Sequence, residues 1–406
     1  MPLLAGSVAD LARAPEMRAA LDWFRRERAW INEQHLKLCR IPAPTFLEQK
    51  RAEWMAERFQ SLGWESRLDR AGNVVAMLPG RRDDAVVAVT AHLDTVLAPR
   101  SPEEIKISDE GRLVGPGVSD NGAGLAALLA LAAAWNAIAP VPDAPFSPLL
   151  VANVGEEGEG NLSGMRYLCR ESNASRPKAF LVLDGPNTDH ITCRALASRR
   201  FEVAVTGPGG HSWSDYGAGN PVHALSRAIA EFTSADFTAA PGGSAPRSSF
   251  NFGLIQGGTS INCIPTEARA KVDLRSEKAE KIDDMAALLA ASVAQAAEIE
   301  NSRATGGRVT ARLKEIGSRP GGELPQGAPI LNNLLAVDAF LGIRSRLDCS
   351  STDANIPLSL GIPAVSIGAG GQGGGAHTAA EWFHPDGREL GMRRILLTLC
   401  GLLLIE

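Results

Sequence analysis

Four short, nearly unbroken apolar runs constrain this chain more than any other feature: Ala85 to Thr90, Leu149 to Val154, Ala179 to Leu183 and Ala364 to Ile367. A strand with one wet face alternates apolar and polar residues, whereas a strand that is apolar throughout is covered on both faces. Helical stretches such as Gly122 to Asn136 and Ala328 to Leu341 separate some of the runs. Strands alternating with helices predict an α/β domain built on a mostly parallel sheet. Residues 16–63 also place apolar side chains at helical spacing, interrupted at Ile41-Pro42-Ala43-Pro44.

The middle of the chain has another period. Phe201 to Val205, Arg247 to Ile255 and Glu267 to Leu274 alternate apolar and polar residues, and helical patterns fill Pro221 to Thr233 and Lys281 to Glu300. That is the pattern of an α+β domain whose helices cover one face of a sheet. The expected organisation is an α/β domain made of residues 1–192 and 316–406, with an α+β domain inserted at 193–315.

Composition narrows the function classes. With 41 Lys+Arg against 46 Asp+Glu the net charge is -5, which gives no electrostatic case for binding nucleic acid or an anionic membrane. No run is apolar and long enough to predict a membrane span, and the N-terminus lacks the pattern of a signal peptide. The six cysteines, at 39, 169, 193, 263, 349 and 400, form no CxxC pair. They are expected to be buried thiols of a reducing, cytoplasmic compartment, neither disulfides nor thiolate zinc ligands.

Ligands of an open α/β sheet bind beyond the C-terminal ends of its strands. The first run ends in Ala91-His92-Leu93-Asp94, the second in Gly155-Glu156-Glu157-Gly158 and the third in Asp184-Gly185-Pro186; the fourth leads through a glycine loop to His377-Thr378. Asp120 stands in Ser119-Asp120-Asn121-Gly122, just before the Ala-rich helical stretch. Each piece alone is ordinary: a polar strand end, a solvated glutamate pair, an aspartate in a turn. Gathered at one end of one sheet, so many carboxylates repel unless cations join them. Oxygen and imidazole donors without thiolate suit zinc, cobalt or manganese, and a metal pair sharing a water is a common hydrolytic centre. The GxGxxA at Gly122 to Ala127 and the GxGxxG at Gly368 to Gly373 lack the strand and helix context of a dinucleotide site.

In this order, HLDT, SDNGAG, GEEGEG, LDG and a late HT resemble the co-catalytic metallopeptidase and amidohydrolase family, which includes peptidase T, glutamate carboxypeptidase, acetylornithine deacetylase and succinyl-diaminopimelate desuccinylase. The resemblance covers nearly the whole chain. It implies that His92, Asp120 and Asp184 hold one divalent ion and Asp120, Glu157 and His377 a second, with zinc expected and cobalt or manganese as alternatives. It implies that Asp94 orients His92 through the far ring nitrogen, that Glu156 is the general base, and that a cis peptide joins Asp120 to Asn121. The inserted segment resembles the family's lid and dimerisation domain. Its loop Gly207-Pro208-Gly209-Gly210-His211-Ser212 implies an oxyanion role for His211, supplied by the partner subunit in several relatives. Asn262 matches a substrate-contacting position. Arg275 is either a clamp for a substrate carboxylate or a surface arginine of a strand. Trp213 and Tyr216, near the His211 loop, are candidates to line the substrate. The implied activity is hydrolysis of amide bonds in small peptides by a homodimer, in the manner of a peptidase T di- or tripeptide aminopeptidase. Deacylation of N-acyl amino acids by the same centre is the alternative that these motifs leave open.

Overall fold

The computed structural model describes residues 5–80, 85–138, 145–170, 177–237 and 247–404. The chain divides into two compact units, one formed by Met1–Ala195 with Gly322–Glu406, the other by Leu196–Gly321.

The first unit is built on a mixed sheet whose middle is parallel. Strands Ser147–Asn153, Val86–His92, Ala179–Leu183 and Ala364–Ile367 lie side by side in that order, each parallel to its neighbour. These are the four apolar runs of the sequence. Their alternate residues enter separate cores. Val87, Val89 and Ala91 pack with helices Gly122–Trp135 and Arg388–Leu403, while Val86, Ala88 and Val151 pack with Leu162, Met165 and Ile356. Two-sided coverage explains why the runs show no polar face. Antiparallel strands Glu65–Leu68 and Val74–Met77 extend one edge; His190–Ala195, Gly322–Glu323 and Arg346–Ser350 extend the other.

The predicted helical region 16–63 resolves into Pro15–Arg26, Arg28–Cys39 and Gln49–Ser61. The break at Ile41 to Pro44 is present, but a second one at Glu27 carries no Pro or Gly and left no mark in the sequence. Helix Gly122–Trp135 is buried at every position, so it is apolar all round. No helix among the described residues is long and apolar enough to cross a membrane.

The second unit holds a four-stranded antiparallel sheet, ordered Ser248–Gly257, Glu267–Ser276, Ala197–Thr206, Thr310–Arg319. Helices Pro221–Thr233 and Ala279–Arg303 cover one face, burying Leu225, Phe232, Met285, Leu289 and Val293 against Val203, Val272 and Leu274. The edge strand Thr310–Arg319 has no counterpart in the sequence reading. Its Arg312, Lys314 and Glu315 blur the alternation, because only part of an edge strand is covered. All six cysteines are free thiols, and four are buried. Cys263 departs from expectation. It is exposed because its two-residue strand, Cys263–Ile264, pairs only with Gly210–His211.

Candidate metal centre

His92 closes a fully buried strand, and its position there fixes where its ring can go. Its Nδ1 donates to the backbone carbonyl of Asp94 at 2.9 Å. The Asp94 carboxylate, expected on that nitrogen, stands off at 3.6 Å. It has other work: Oδ1 accepts from the Glu156 N–H at 3.0 Å, and Oδ2 accepts from the Glu157 N–H at 2.9 Å and from Thr45 Oγ1 at 3.0 Å. One buried carboxylate thus pins two consecutive peptide groups and keeps both glutamates at the end of strand Ser147–Asn153.

With Nδ1 committed as a donor, the neutral tautomer of His92 offers a lone pair at Nε2. That atom lies 3.0 Å from Asp120 Oδ1. His377 Nε2 lies 3.1 Å from the other oxygen, Asp120 Oδ2, and 2.8 Å from Glu157 Oε1. His377 is held at φ 64, a left-handed conformation that is uncommon for non-glycine residues. Ligand atoms of His92, Asp120 and Asp184 lie within 4.8 Å of one another, and so do those of Asp120, Glu157 and His377. Asp120 belongs to both clusters. A third such group joins His92, Glu156 and Glu157. The Asp120–Asn121 peptide is cis.

The electrostatics describe a set of donors that need positive charge. Burial would pull His92 down, but the hydrogen bond to Asp120 and the nearby Asp94 carboxylate outweigh it and raise the ring well above its ordinary value. Hydrogen bonds to Asp120 and Glu157 push His377 up to about 10. Burial would raise Asp120, yet the two histidines hold it below the carboxylate range. Burial, then the charge of Asp120, pushes Asp184 up to about 7. Protons here occupy the positions of cations. A donor set of imidazole nitrogens and carboxylate oxygens, with one carboxylate presenting an oxygen to each cluster, fits two divalent ions.

The second unit carries the remaining candidates. His211 follows Gly209 at φ 69 and Gly210 at φ 142, and its backbone N–H donates to Asp215 Oδ2 at 2.6 Å. Its Nδ1 accepts from the N–H groups of Trp213 and Ser214 at 3.2 and 3.4 Å, which leaves Nε2 as the protonated donor. Asn262 is beside it, its carbonyl accepting from the Ser212 N–H at 3.0 Å. Trp213 and Tyr216 are exposed on this loop. Arg275 is not brought to the group. It lies at the other end of strand Glu267–Ser276, roughly 25 Å along the strand from Glu267 at about 3.3 Å per residue. Its Nε donates to Asp273 Oδ2 at 2.7 Å.

A family model described as Peptidase family M28 matches residues 73–205, and one described as Peptidase dimerisation domain matches residues 196–301. Both matches agree with the family that the motifs resemble, the co-catalytic metallopeptidases and amidohydrolases. Two curated relatives of this chain are a probable carboxypeptidase of Aspergillus clavatus, 30% identical over 52% of this chain and 48% of that protein, and a succinyl-diaminopimelate desuccinylase of Paracoccus denitrificans, 28% identical over 47% of this chain and 52% of that protein. The chain thus spans about half the length of these relatives. The solved aminopeptidase PepT of Bacillus cereus shares the fold, with a TM-score of 0.68 at 21% identity over 92% of this chain and 98% of that one.

One residue that holds the candidate site together escaped the motif reading. Glu381 is buried, and its Oε1 accepts from the N–H groups of Ser119 and Asp120 at 2.7 and 2.8 Å while Oε2 accepts from the Gly117 N–H at 2.8 Å. It clamps the loop that carries Asp120. The available signal was an acidic residue set between Ala379-Ala380 and Trp382-Phe383, where a charge calls for partners. His35 and Cys39 support the same loop from behind. His35 Nε2 donates to the Val118 carbonyl at 2.8 Å, its Nδ1 faces the Arg388 guanidinium, and Cys39 Sγ lies 3.6 Å from the Gly117 carbonyl.

Proposed function

We propose that this chain is a dinuclear, zinc-dependent hydrolase of small peptides that releases amino-terminal residues from di- and tripeptides, as peptidase T does. The observation that carries the proposal is the pair of three-residue clusters sharing Asp120. His92, Asp120 and Asp184 would hold one ion and Asp120, Glu157 and His377 the other; cobalt or manganese would suit the same donors. When bound, such a pair polarises a carbonyl and lowers the pKa of a water.

The chain's own residues do the rest. Asp94 positions Glu156, whose carboxylate takes the proton of the attacking water and delivers it to the leaving nitrogen. His211, with Nε2–H free to donate, stabilises the oxyanion, and Asn262 beside it contacts the substrate. Arg275 grips the substrate carboxylate. An extended dipeptide is only about 7 Å long, at roughly 3.5 Å per residue. It cannot reach from Arg275 to the His211 loop of the same second unit, so two copies of the chain would have to contribute. This separation, with the match to a peptidase dimerisation domain, supports a homodimer formed through residues 196–321. The free thiols support a cytoplasmic setting.

The match to a desuccinylase supports a second reading, deacylation of N-acyl amino acids by the same centre. Product release from two substrate sets, with and without chelator, separates the two. Chelator-sensitive release of N-terminal residues from unblocked peptides supports the aminopeptidase. Cleavage of N-acetyl or N-succinyl amino acids alone supports the deacylase, and release of the C-terminal residue from tripeptides favours a carboxypeptidase. No turnover of any set with added zinc, cobalt or manganese refutes all three.

A further inference from the structure

The segment after the first helical region is shaped in a way that packing does not explain. The Leu47 N–H donates to the Pro44 carbonyl at 2.8 Å, closing a four-residue turn. Its third residue, Phe46, sits at φ 75. Turns with positive φ at that position favour glycine, and a bulky residue there is strained. Yet the Phe46 ring is not bought into the core: Phe46 and Leu47 are 66 and 69% exposed. A strained position that also leaves its side chain in water marks a side chain kept for what it meets outside.

Two more exposed apolar residues follow a residue that is paired with this turn. Pro44 bridges Thr95 in parallel pairing, and the Thr95 N–H donates to the Ala43 carbonyl at 3.0 Å. Val96 and Leu97, which follow Thr95, are 45 and 41% exposed. Both segments are fastened to the loops of the metal centre. Thr45 Oγ1 donates to Asp94, and Glu48 Oε1 accepts from the Gly155 N–H at 3.1 Å, one residue before Glu156. The Thr45 methyl fills the space beside Gly160, where an added Cβ would approach it to 2.7 Å, and the Thr95 methyl does the same at Gly117, at 2.5 Å. Four exposed apolar side chains are therefore carried on two segments locked against the loops that present Asp94, Asp120, Glu156 and Glu157.

We propose that Phe46, Leu47, Val96 and Leu97 form an apolar wall that receives an apolar side chain of the substrate next to the amide bond, so that leucine and phenylalanine substrates are preferred to glycine and aspartate ones. The proposal rests on the amide-hydrolase reading above. Continuity with the ligand-bearing loops is what selects a substrate side chain as the occupant. A second copy of the chain is the competing occupant.

The test uses the full metal-loaded chain and a matched series, Xaa-Gly, Gly-Xaa and N-acetyl-Xaa, with Xaa as Gly, Leu, Phe or Asp. In at least one series the kcat/KM for Leu or Phe should exceed that for Gly by tenfold or more, and Phe46→Gly with Leu97→Ser should lower the ratio about tenfold, the scale set by apolar groups in specificity pockets. Phe46→Gly alone should raise the unfolding midpoint, since glycine accepts the left-handed turn, so lost selectivity is not lost folding. Free leucine should raise the Tm of the wild type more than glycine does, and this difference should vanish in the double variant. An unaltered Leu/Gly ratio in that variant overturns the wall, as does a change of dimer to monomer with the ratio intact. Absence of all turnover speaks against the hydrolase reading, and the leucine Tm shift then decides the wall by itself.

Discussion

Substituting Glu381→Gln tests how the loop of the bridging aspartate is held. In the wild type three backbone N–H groups, from Gly117, Ser119 and Asp120, converge on two carboxylate oxygens at 2.7 to 2.8 Å, out of contact with water. An amide has one acceptor oxygen. Its best orientation keeps that oxygen on Ser119 and Asp120 and turns an NH2 toward the Gly117 N–H. One hydrogen bond to a charged acceptor is lost, about 1.5–3 kcal/mol, and a buried donor is left unpaired, about 1–3 kcal/mol more. Removing a buried charge offsets part of this. Burial already raises the Glu381 carboxyl, with the charge of Asp120 adding to it and the three N–H bonds opposing, so the offset is real. The net expectation is a loss of about 2–4 kcal/mol in denaturant unfolding of the metal-free protein, with zinc affinity by calorimetry weakened about 10- to 100-fold, as for other partners that orient metal ligands. Unfolding within about 0.5 kcal/mol of wild type, a surface-like value, together with unaltered zinc affinity, would refute the clamp.

Other expectations follow from the same geometry. Glu156→Ala should cut kcat by about 10²–10⁴, the range of general-base losses, while elemental analysis still finds metal bound; wild-type turnover removes it from the base role. Asp120→Ala should lose both ions, because it serves both clusters, and two ions retained on elemental analysis contradicts bridging. His35 is held well below its ordinary value by burial, then by Arg388, with the Val118 carbonyl opposing. The unfolded state therefore takes up a proton near pH 6.5 that the native state refuses, and stability falls as pH drops below that value, by about 1.4 kcal/mol per unit from this residue until the lowered native pKa is reached. Denaturant midpoints of His35→Gln at several pH values should show a correspondingly shallower slope between pH 6.5 and 5; an identical slope refutes this. Asp338 accepts two bonds from the buried Arg394 guanidinium at 2.6 and 2.7 Å, so Asp338→Ala should cost about 3–5 kcal/mol by leaving that charge unpaired, and a loss below about 1 kcal/mol by denaturant unfolding would contradict it.

The central sheet was legible because its strands are buried on both faces, so that burial is written as unbroken apolar runs. The two clusters were legible because four of their five residues lie in or beside loops at the C-terminal ends of these strands and the fifth, Asp120, just before an apolar helix. What joins them was not legible. Glu381 gains its role from N–H groups more than 260 positions earlier in the chain, for Gly117 and Ser119 alike, and no local pattern encodes such a partnership. The His92 ring was expected on the Asp94 carboxylate but turns to the backbone carbonyl of the same residue, a choice made by fractions of an ångström. Phe46 hid its left-handed turn because composition alone would place a glycine there.

The first unit is made from two pieces of chain, and this sets an order of events during synthesis. Residues 196–321 form one continuous stretch and can complete their own sheet while the ribosome is still working, whereas the first unit must wait for residues after Gly322. Strand Ala364–Ile367, and after it His377 and Glu381, are the last parts of the centre to be made, ahead of helix Arg388–Leu403. A nascent chain therefore displays His92, Asp120, Glu157 and Asp184 long before it has the histidine and the clamp that complete them. Translation that stops short of about residue 380 yields a polypeptide with most of the ligands and no finished centre, so hydrolytic capacity would arrive only once His377 and Glu381 have been made.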